Sequence, residues 1–164
     1  MDLVLFDFTA GAAAWESVDD RVMGGVSASR LEPGEGCAVF AGLVSLANNG
    51  GFASIRSPAG PLALEGFAGM AVEARGDGKR YSLRLRTSDR FEDVAFQAPL
   101  EAPADRLTVV RIPFDDFRPR YRGWEMTDYP PLDPATVCGL GLLIADRQEG
   151  PFRLEVARIG AWRV

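Results

Sequence analysis

The stretch GMAVEARGDGKRYSLRLRT, residues 69–87, contains two runs in which apolar and polar residues alternate. The apolar positions are Met70, Val72, Ala74, Tyr81, Leu83 and Leu85. Because successive side chains of a strand point to opposite faces, this alternation predicts two strands that each bury one face. The pair Asp77-Gly78 lies between the runs, and such a pair is typical of the turn of a β-hairpin. We therefore predict a hairpin that joins the two strands.

Similar short runs, bounded by Gly, Pro, Asn and Asp, recur along the 164 residues, whereas helical periodicity is hard to find. We predict ten strands, at residues 3–8, 26–31, 37–46, 52–57, 69–75, 81–87, 94–98, 107–113, 139–146 and 152–159. A single open sheet rarely holds so many strands, so two packed sheets are expected. The chain length suits one domain, residues 1–164. The sequence thus predicts an all-β fold, a jelly-roll β-sandwich of two antiparallel sheets.

A second turn signal lies in SLANNGGFASIRS, residues 45–57, which holds both asparagines of the chain. Asn48, Asn49, Gly50 and Gly51 all tolerate the positive φ angles of a tight turn. A turn alone would explain these residues. The alternative hypothesis is that the turn and the following Arg56 belong to a binding surface.

Composition excludes several kinds of site. Histidine is absent, which rules out Ser-His-Asp and Cys-His catalysis and imidazole metal ligation. Cys37 and Cys138 form no C-x-x-C motif, so we predict no zinc site; they are expected to be two buried thiols, although a disulfide is the alternative in an oxidising compartment. A calcium site at Asp7 has only a weak signal. We predict no metal, no cofactor and no enzymatic activity.

Charge and hydropathy limit the partners and the location. The net charge of −5 argues against nucleic acid as a partner. The N-terminal sequence MDLVLFDFTAG lacks the basic region of a signal peptide. No apolar run approaches the roughly 20 residues of a membrane helix. We expect a cytoplasmic protein that is not embedded in a membrane.

Two glycine-containing segments fail the requirements of nucleotide sites. Gly78-Lys79 has no glycine five places earlier and no Ser or Thr after the lysine. Gly24-Gly25 is not set between a strand and a helix in the dinucleotide-binding order. Asp19 and Asp20 are adjacent, so their side chains diverge and are not expected to act as an acid/base pair.

Strand alternation also predicts an exposed polar face. Arg56, Arg84 and Arg86 are expected to point outward, and we expect Glu73 and Glu155 on the same sheet. One interpretation is a solvated face of paired charges. The other is an arginine-rich groove that binds an anion, a sugar or the polar surface of a partner. Trp124, from the long irregular segment 114–137, would then stand at its rim.

Six segments in order resemble the Complex I intermediate-associated protein 30 family: VMGGVS (22–27), SLANNGGFASIRS (45–57), RGDGKRYSLRLRT (75–87), IPFDDFRPRYRG (112–123), PPLDP (130–134) and GLLIADRQEGPFRLEV (141–156). The resemblance implies a galactose-binding-type jelly roll similar to carbohydrate-binding modules. It also implies a chaperone-like role, because mitochondrial members help to assemble NADH:ubiquinone oxidoreductase. The family offers no catalytic residue. Asp19 and Leu107 depart from its usual Asn and Trp.

The expected function is therefore a non-catalytic binding protein whose partner is a protein, such as a respiratory-complex subunit. The alternative is a carbohydrate or other small-ligand module in which Trp15, Tyr121 or Trp124 stacks on the ligand. The resemblance and the predicted face together give the candidate binding residues, which are Met23, Ser27, Asn48, Asn49, Ser54, Arg56, Arg84, Arg86, Arg122, Trp124, Asp146, Gln148 and Glu155.

Overall fold

Two antiparallel sheets form the protein in a computed structural model that describes residues 1–20, 24–88 and 94–164. The first, of six strands, has the order β3-β4-β13-β6-β9, with β1 also paired to β13. Its strands are β1 (Leu3–Asp7), β3 (Ala28–Pro33), β4 (Ala38–Val44), β6 (Gly69–Arg75), β9 (Thr108–Pro113) and β13 (Gly150–Trp162). All its pairings are antiparallel.

The second sheet has seven strands in the order β11-β10-β8-β7-β12-β5-β2. They are β2 (Glu16–Ser17), β5 (Ala53–Arg56), β7 (Tyr81–Arg86), β8 (Ala95–Leu100), β10 (Arg118–Tyr121), β11 (Trp124–Glu125) and β12 (Gly139–Ile144). Short 3₁₀ turns occupy Ala47–Asn49, Phe114–Asp116 and Pro134–Thr136. The predicted all-β sandwich is confirmed. Of the helical segments described, none is long and apolar enough to cross a membrane.

The core lies between the inner faces of the two sheets, as the alternation predicts. Tyr81, Leu83 and Leu85 of β7 are buried, and so are Leu140 and Leu142 of β12. On the other sheet, Met70, Val72 and Ala74 are fully buried as predicted, and so are Leu154 and Val156 of β13. Period-two patterning therefore identifies the core-facing side of the central strands.

The predicted hairpin at Asp77-Gly78 is wrong. The strands on either side, β6 and β7, belong to different sheets, so the turn crosses from one sheet to the other. The local conformation is still that of a turn, with φ of 89° at Gly78. The Asp77 carboxylate accepts hydrogen bonds from the Tyr81 hydroxyl at 3.0 Å and from the main-chain N–H of Arg153, in β13, at 2.8 Å. Asp77 thus holds both sheets together at this crossing.

The Asn-Asn-Gly-Gly turn also connects the two sheets, because β4 and β5 do not pair with each other. Asn48 and Asn49 have φ angles of 55° and 60°, as their positive-φ tolerance suggested. All ten predicted strands are present; the bounds of β6 match the predicted residues 69–75, and the other nine are shifted at one or both ends. Strands β2, β10 and β11 were not predicted from the sequence.

Candidate functional site

The turn at residues 48–51 is fastened to the protein interior by Asp20, which is only 1% exposed. Its carboxylate accepts hydrogen bonds from the main-chain N–H groups of Ser27 at 2.9 Å, Gly51 at 2.8 Å and Phe52 at 3.3 Å, and from the Ser27 hydroxyl. Burial alone would raise the pKa of Asp20, but these hydrogen bonds outweigh it and the pKa is lowered. Asp20 therefore acts as a charged anchor for two separate loops.

Two glycines make room for this anchor. A methyl group added at Gly25 would overlap the Asp20 carboxyl group. One added at Gly50 would lie 2.6 Å from Asp20 Oδ2 and 2.6 Å from the carbonyl oxygen of Ser45. Close approach to Asp20 explains these two glycines without a ligand.

The neighbouring Asp19 anchors a different pair of strands. It accepts hydrogen bonds from the N–H of Ser29 at 3.0 Å, the Ser29 hydroxyl at 2.6 Å and the N–H of Ser54 at 2.9 Å. The Ser54 hydroxyl in turn donates to the carbonyl oxygen of Val18. The two adjacent carboxylates bind different segments, Asp19 two strands and Asp20 two loops, which agrees with the interpretation that they are not an acid/base pair.

The outer surface of the seven-stranded sheet carries the predicted arginines. In the ladder, Arg118 lies opposite Gln97, Gln97 opposite Arg84, and both Arg84 and Arg56 opposite Gly141. Residues directly opposite each other in an antiparallel pair share a face. The next row contains Arg120, Ala95, Arg86 and Gly139. We call the residues Arg56, Arg84, Arg86, Gln97, Arg118 and Arg120 the arginine face.

Arg84 is the centre of the arginine face. It is part-buried, and its Nε donates to Gln97 Oε1 at 3.1 Å, while Gln97 Nε2 donates to Ser82 Oγ at 3.3 Å. No carboxylate of the described residues lies within 4.0 Å of Arg84. Burial, and to a lesser extent the like charge of Arg120, lowers the pKa of Arg84 to about 10. The guanidinium is still charged at neutral pH, so the protein keeps a desolvated cation without an anionic partner in its described part.

Arg118 and Arg120 add two more guanidinium groups on this face. Arg120 Nη1 donates to the carbonyl oxygen of Gly123 at 3.3 Å, and its buried Nε has no acceptor among the described residues. Arg118 donates to the carbonyl oxygens of Asp115 and Phe117. Glu125 lies opposite Arg120 in the β10–β11 ladder, but the described structure places no ion pair between them.

The other two arginines have partners within the sheet. Arg86 Nη2 donates to the carbonyl oxygen of Ser57 at 2.9 Å, and its guanidinium crosses Gly139, where a Cβ atom would lie 2.6 Å from Nη2. Arg56 Nη2 lies 3.0 Å from Glu16 Oε2. Gly139 and Gly141 have no side chains on the middle strand of the face, and the Arg86 guanidinium covers Gly139.

The outer face of the six-stranded sheet gives an internal comparison. Glu155 pairs with Arg75 and with Arg153, and Glu73 pairs with Arg158 at 3.0 Å. Arg75 and Arg153 lower the pKa of Glu155 through hydrogen bonds and charge. The prediction that Glu73 and Glu155 share a sheet with Arg84 is therefore wrong, because they lie on β6 and β13 of the opposite sheet.

The aromatic candidates do not lie on the arginine face. Trp124 is 78% exposed, but it faces Tyr121 across the β10–β11 hairpin and so points to the side opposite Arg120. Arg122 occupies the tip of this hairpin, with its guanidinium 5.5 Å from the Tyr121 ring centre. Trp15 is buried against Phe6 and Phe8, at centroid distances of 5.0 and 5.7 Å, so its expected role in stacking on a ligand is wrong.

The remaining predicted residues are spread over other parts of the molecule. Asn48 and Asn49 are exposed in their turn. Gln148 is bonded to both main-chain groups of Arg80, and Asp146 lies 3.8 Å from the Arg80 guanidinium. Ser27 and Ser54 are buried among the aspartate anchors rather than exposed. Met23 lies outside the described residues.

Sequence reasoning missed Gln97, Arg118 and Arg120. The segment Arg118-Pro119-Arg120-Tyr121 has the same alternation as Arg84 to Arg86, but its proline and its place in a proline-rich segment suggested a loop. Proline is tolerated here because β10 pairs with β8 and with only two residues of β11.

A shallow cleft of ≈490 Å³ opens beside the end of β7, lined by small residues that include Pro61, Thr87 and Cys138. Cys138 is half-buried, Cys37 is buried, and neither is in a disulfide. Among residues 1–20, 24–88 and 94–164, no group of three acidic or cysteine side chains is arranged to hold a metal ion.

Comparison with solved structures finds proteins of the same fold. A family 11 carbohydrate-binding module of the cellulosomal cellulase Lic26A-Cel5E of Clostridium thermocellum superposes with a TM-score of 0.71 and 13% identity, covering 100% of this chain and 96% of the module. A Clostridium thermocellum family 11 module in complex with a β-1,3-1,4-mixed-linked tetrasaccharide gives a TM-score of 0.69 and 14% identity, covering 99% and 98% of the chains. These likenesses establish the fold.

Sequence comparison identifies the family. An uncharacterized protein of Schizosaccharomyces pombe is 29% identical over 171 residues, covering 90% of this chain and 77% of that protein. The family model described as Complex I intermediate-associated protein 30 matches residues 4–156. The chain therefore belongs to the Complex I intermediate-associated protein 30 family.

Proposed function

We propose that this protein is a non-catalytic binding domain that holds a protein partner, such as a subunit of a respiratory complex during assembly, on its arginine face. The supporting observation is the difference between its two outer surfaces. On the six-stranded sheet, Arg75, Arg153 and Arg158 all pair with carboxylates. On the seven-stranded sheet, Arg84 and Arg120 do not pair with any carboxylate of the described residues.

This difference matters because an unpaired, part-buried guanidinium costs folding free energy. A surface that contacted only water would not carry this cost, because a fully exposed arginine stays hydrated. A partner that supplies acceptors to these groups would recover part of it on binding. Membership of a family described as intermediate-associated supports a protein as the partner.

The test is a bulky substitution that blocks the face without changing its charge. Ala95 lies between Arg86 and Arg120, so Ala95→Trp places a large side chain on the arginine face. The matched control is Val109→Trp, at an exposed position opposite Glu73 on the outer side of the other sheet. Interactors are recovered by cross-linking from cells that make each protein. We expect Ala95→Trp to lose interactors that the wild type and Val109→Trp retain; equal recovery by all three overturns the proposal.

A second candidate function is carbohydrate binding. The fold shared with family 11 modules favours it. The outward positions of the described strands of this sheet hold no aromatic side chain for stacking on a sugar ring, which argues against it. Calorimetry with a β-1,3-1,4-mixed-linked tetrasaccharide decides between the candidates. A heat of binding that depends on Arg84 would support carbohydrate binding.

A further inference from the structure

We infer that Arg84 and Arg120 form a carboxylate-binding subsite on the arginine face, and that its ligand is a glutamate- or aspartate-rich segment of the protein partner. This inference rests on the proposed function and specifies the chemistry of the ligand. It predicts which group of the partner contacts the face and which two side chains hold it.

The subsite has donors that the protein does not use. Arg84 Nε donates a hydrogen bond to Gln97, and both Nη groups of Arg84 lack an acceptor within the described residues. Arg120 Nη1 donates to the carbonyl oxygen of Gly123, whereas its Nη2 has no acceptor within the described residues. A carboxylate has two oxygens that can accept parallel N–H bonds from a guanidinium fork. The unused donors therefore match this ligand in both charge and shape.

The arrangement also brings two like charges together. Arg84 and Arg120 lie on β7 and β10, which are separated by β8, so their backbones are about 10 Å apart. Gln97 and Ala95 of β8 lie between them, and the like charge of Arg120 contributes, after burial, to the lowered pKa of Arg84. An anion placed between the guanidinium groups would remove this repulsion. A neutral ligand would leave it in place.

Gln97 fixes the orientation of Arg84. Its amide oxygen accepts from Arg84 Nε and its amide nitrogen donates to the Ser82 hydroxyl, so the chain Arg84–Gln97–Ser82 connects β7 and β8 across the face. A guanidinium held through Nε keeps its Nη edge available. Such preorganisation lowers the entropy cost of binding.

The surroundings favour a peptide over an acidic sugar. Trp124 and Tyr121 occupy the opposite side of the β10–β11 hairpin, so they cannot stack on a ring bound between Arg84 and Arg120. Acidic side chains of a peptide need only the guanidinium donors. Side chains that repeat along paired strands suit an extended segment with regularly spaced carboxylates.

The test measures binding of defined probes by fluorescence anisotropy or calorimetry. The probes are a labelled peptide of alternating glutamate and serine, the same peptide with glutamine for glutamate, an oligogalacturonate and the mixed-linked tetrasaccharide. The proteins are the wild type, Arg84→Gln/Arg120→Gln, and the control Arg30→Gln/Arg106→Gln, which removes the same charge from the other sheet and an exposed loop.

We expect the glutamate peptide to bind the wild type and the control, the glutamine peptide not to bind, and the double variant to bind at least tenfold more weakly. Affinity should fall as salt rises. The inference is overturned if only the oligogalacturonate binds or if no probe binds. It is also overturned if Arg84→Gln/Arg120→Gln and the control bind the glutamate peptide equally well. If Arg84→Gln/Arg120→Gln does not fold, the Arg84 Nε–H signal of the wild type is followed by NMR, and an unmoved signal on peptide addition overturns it.

Recovery of the partner by the variants distinguishes failure of the carboxylate subsite from failure of the proposed function. If Ala95→Trp loses the partner while Arg84→Gln/Arg120→Gln keeps it, the face binds a partner without this subsite. If neither variant loses it, both proposals fall.

Discussion

The carboxylate of Asp20 accepts a hydrogen bond from the main-chain N–H of Gly51 at 2.8 Å, across 31 positions of the chain. This contact gives the Asn-Asn-Gly-Gly turn a structural purpose. The turn brings the N–H groups of Gly51 and Phe52 to a buried charge that also holds Ser27. The loops at this end of the sandwich are therefore joined by one side chain.

Replacement Asp20→Asn should lower the free energy of unfolding by about 2–4 kcal/mol, because one amide oxygen cannot serve all the donors that the carboxylate accepts. The measurement is urea denaturation. Asp146→Asn, in an exposed turn, is the control and should change stability by less than about 0.5 kcal/mol. Equal effects of the two substitutions would contradict the anchoring role.

Stability should depend on acid pH through Asp20 and Glu155, whose pKa values are lowered in the folded protein. When the pKa of a carboxyl group is lower in the folded state, its charged form stabilises the protein. This stabilisation is fully present above the pKa of the unfolded state, about 4, and is lost as the pH falls through the pKa of the folded state. We expect a flat unfolding free energy between about pH 7 and 5 and a decline below about pH 4. Denaturation curves across this range should show a shallower decline for Asp20→Asn.

The substitution Gly50→Ala should destabilise the protein by about 1–3 kcal/mol, because its methyl group would lie 2.6 Å from both Asp20 Oδ2 and the carbonyl oxygen of Ser45. Gly60→Ala is the matched control, since nothing lies within 4 Å of a methyl group there. Melting temperatures of the two variants provide the comparison. A neutral Gly50→Ala would show that the packing around Asp20 relaxes easily.

Arg84→Met should raise the free energy of unfolding by about 1 kcal/mol while it weakens partner binding, because it removes a desolvated cation that has no carboxylate partner in the described structure. Arg75→Met should act in the opposite direction, since it takes a partner from Glu155. Chemical denaturation gives both values. A loss of stability in Arg84→Met would mean that the free protein already compensates its charge.

The two thiols should react at different rates. Burial raises the pKa of the Cys37 thiol, which leaves little thiolate, whereas Cys138 lines an open cleft. A chromogenic disulfide reagent should therefore modify Cys138 first in the native protein, with Cys37 reacting only in denaturant. The variant Cys138→Ser should lose the fast phase. A fast phase that survives this substitution would contradict the assigned burial.

Local pattern predicted the strands and their buried sides well, because side-chain alternation is a property of the strand itself. It failed at the connections. Asp77-Gly78 and Asn48 to Gly51 have the backbone angles that their residues favour, yet each links two sheets instead of two paired strands. Turn residues report the local backbone, whereas pairing depends on partners far along the chain.

The candidate site was predictable only in part for the same reason. Alternation placed Arg84 and Arg86 outward, but nothing local could show that Glu155 lies on the other sheet or that Gln97 and Arg118 stand beside Arg84. Likewise, the sequence shows Asp20 as one acid in a loop. Ser27 is seven positions away, but the other two donors, the N–H groups of Gly51 and Phe52, lie 31 and 32 positions away and meet Asp20 only in the folded sandwich.

Each sheet is built around a strand that follows most of its neighbours in the sequence. β12 lies between β5 and β7, and β13 pairs with β1, β4 and β6. While residues 139–162 remain inside the ribosome, the earlier strands have no central neighbour and expose open edges that favour aggregation. The two sheets cannot close until residues 139–162 have been made, so a nascent chain stalled before residue 139 should require a holding chaperone.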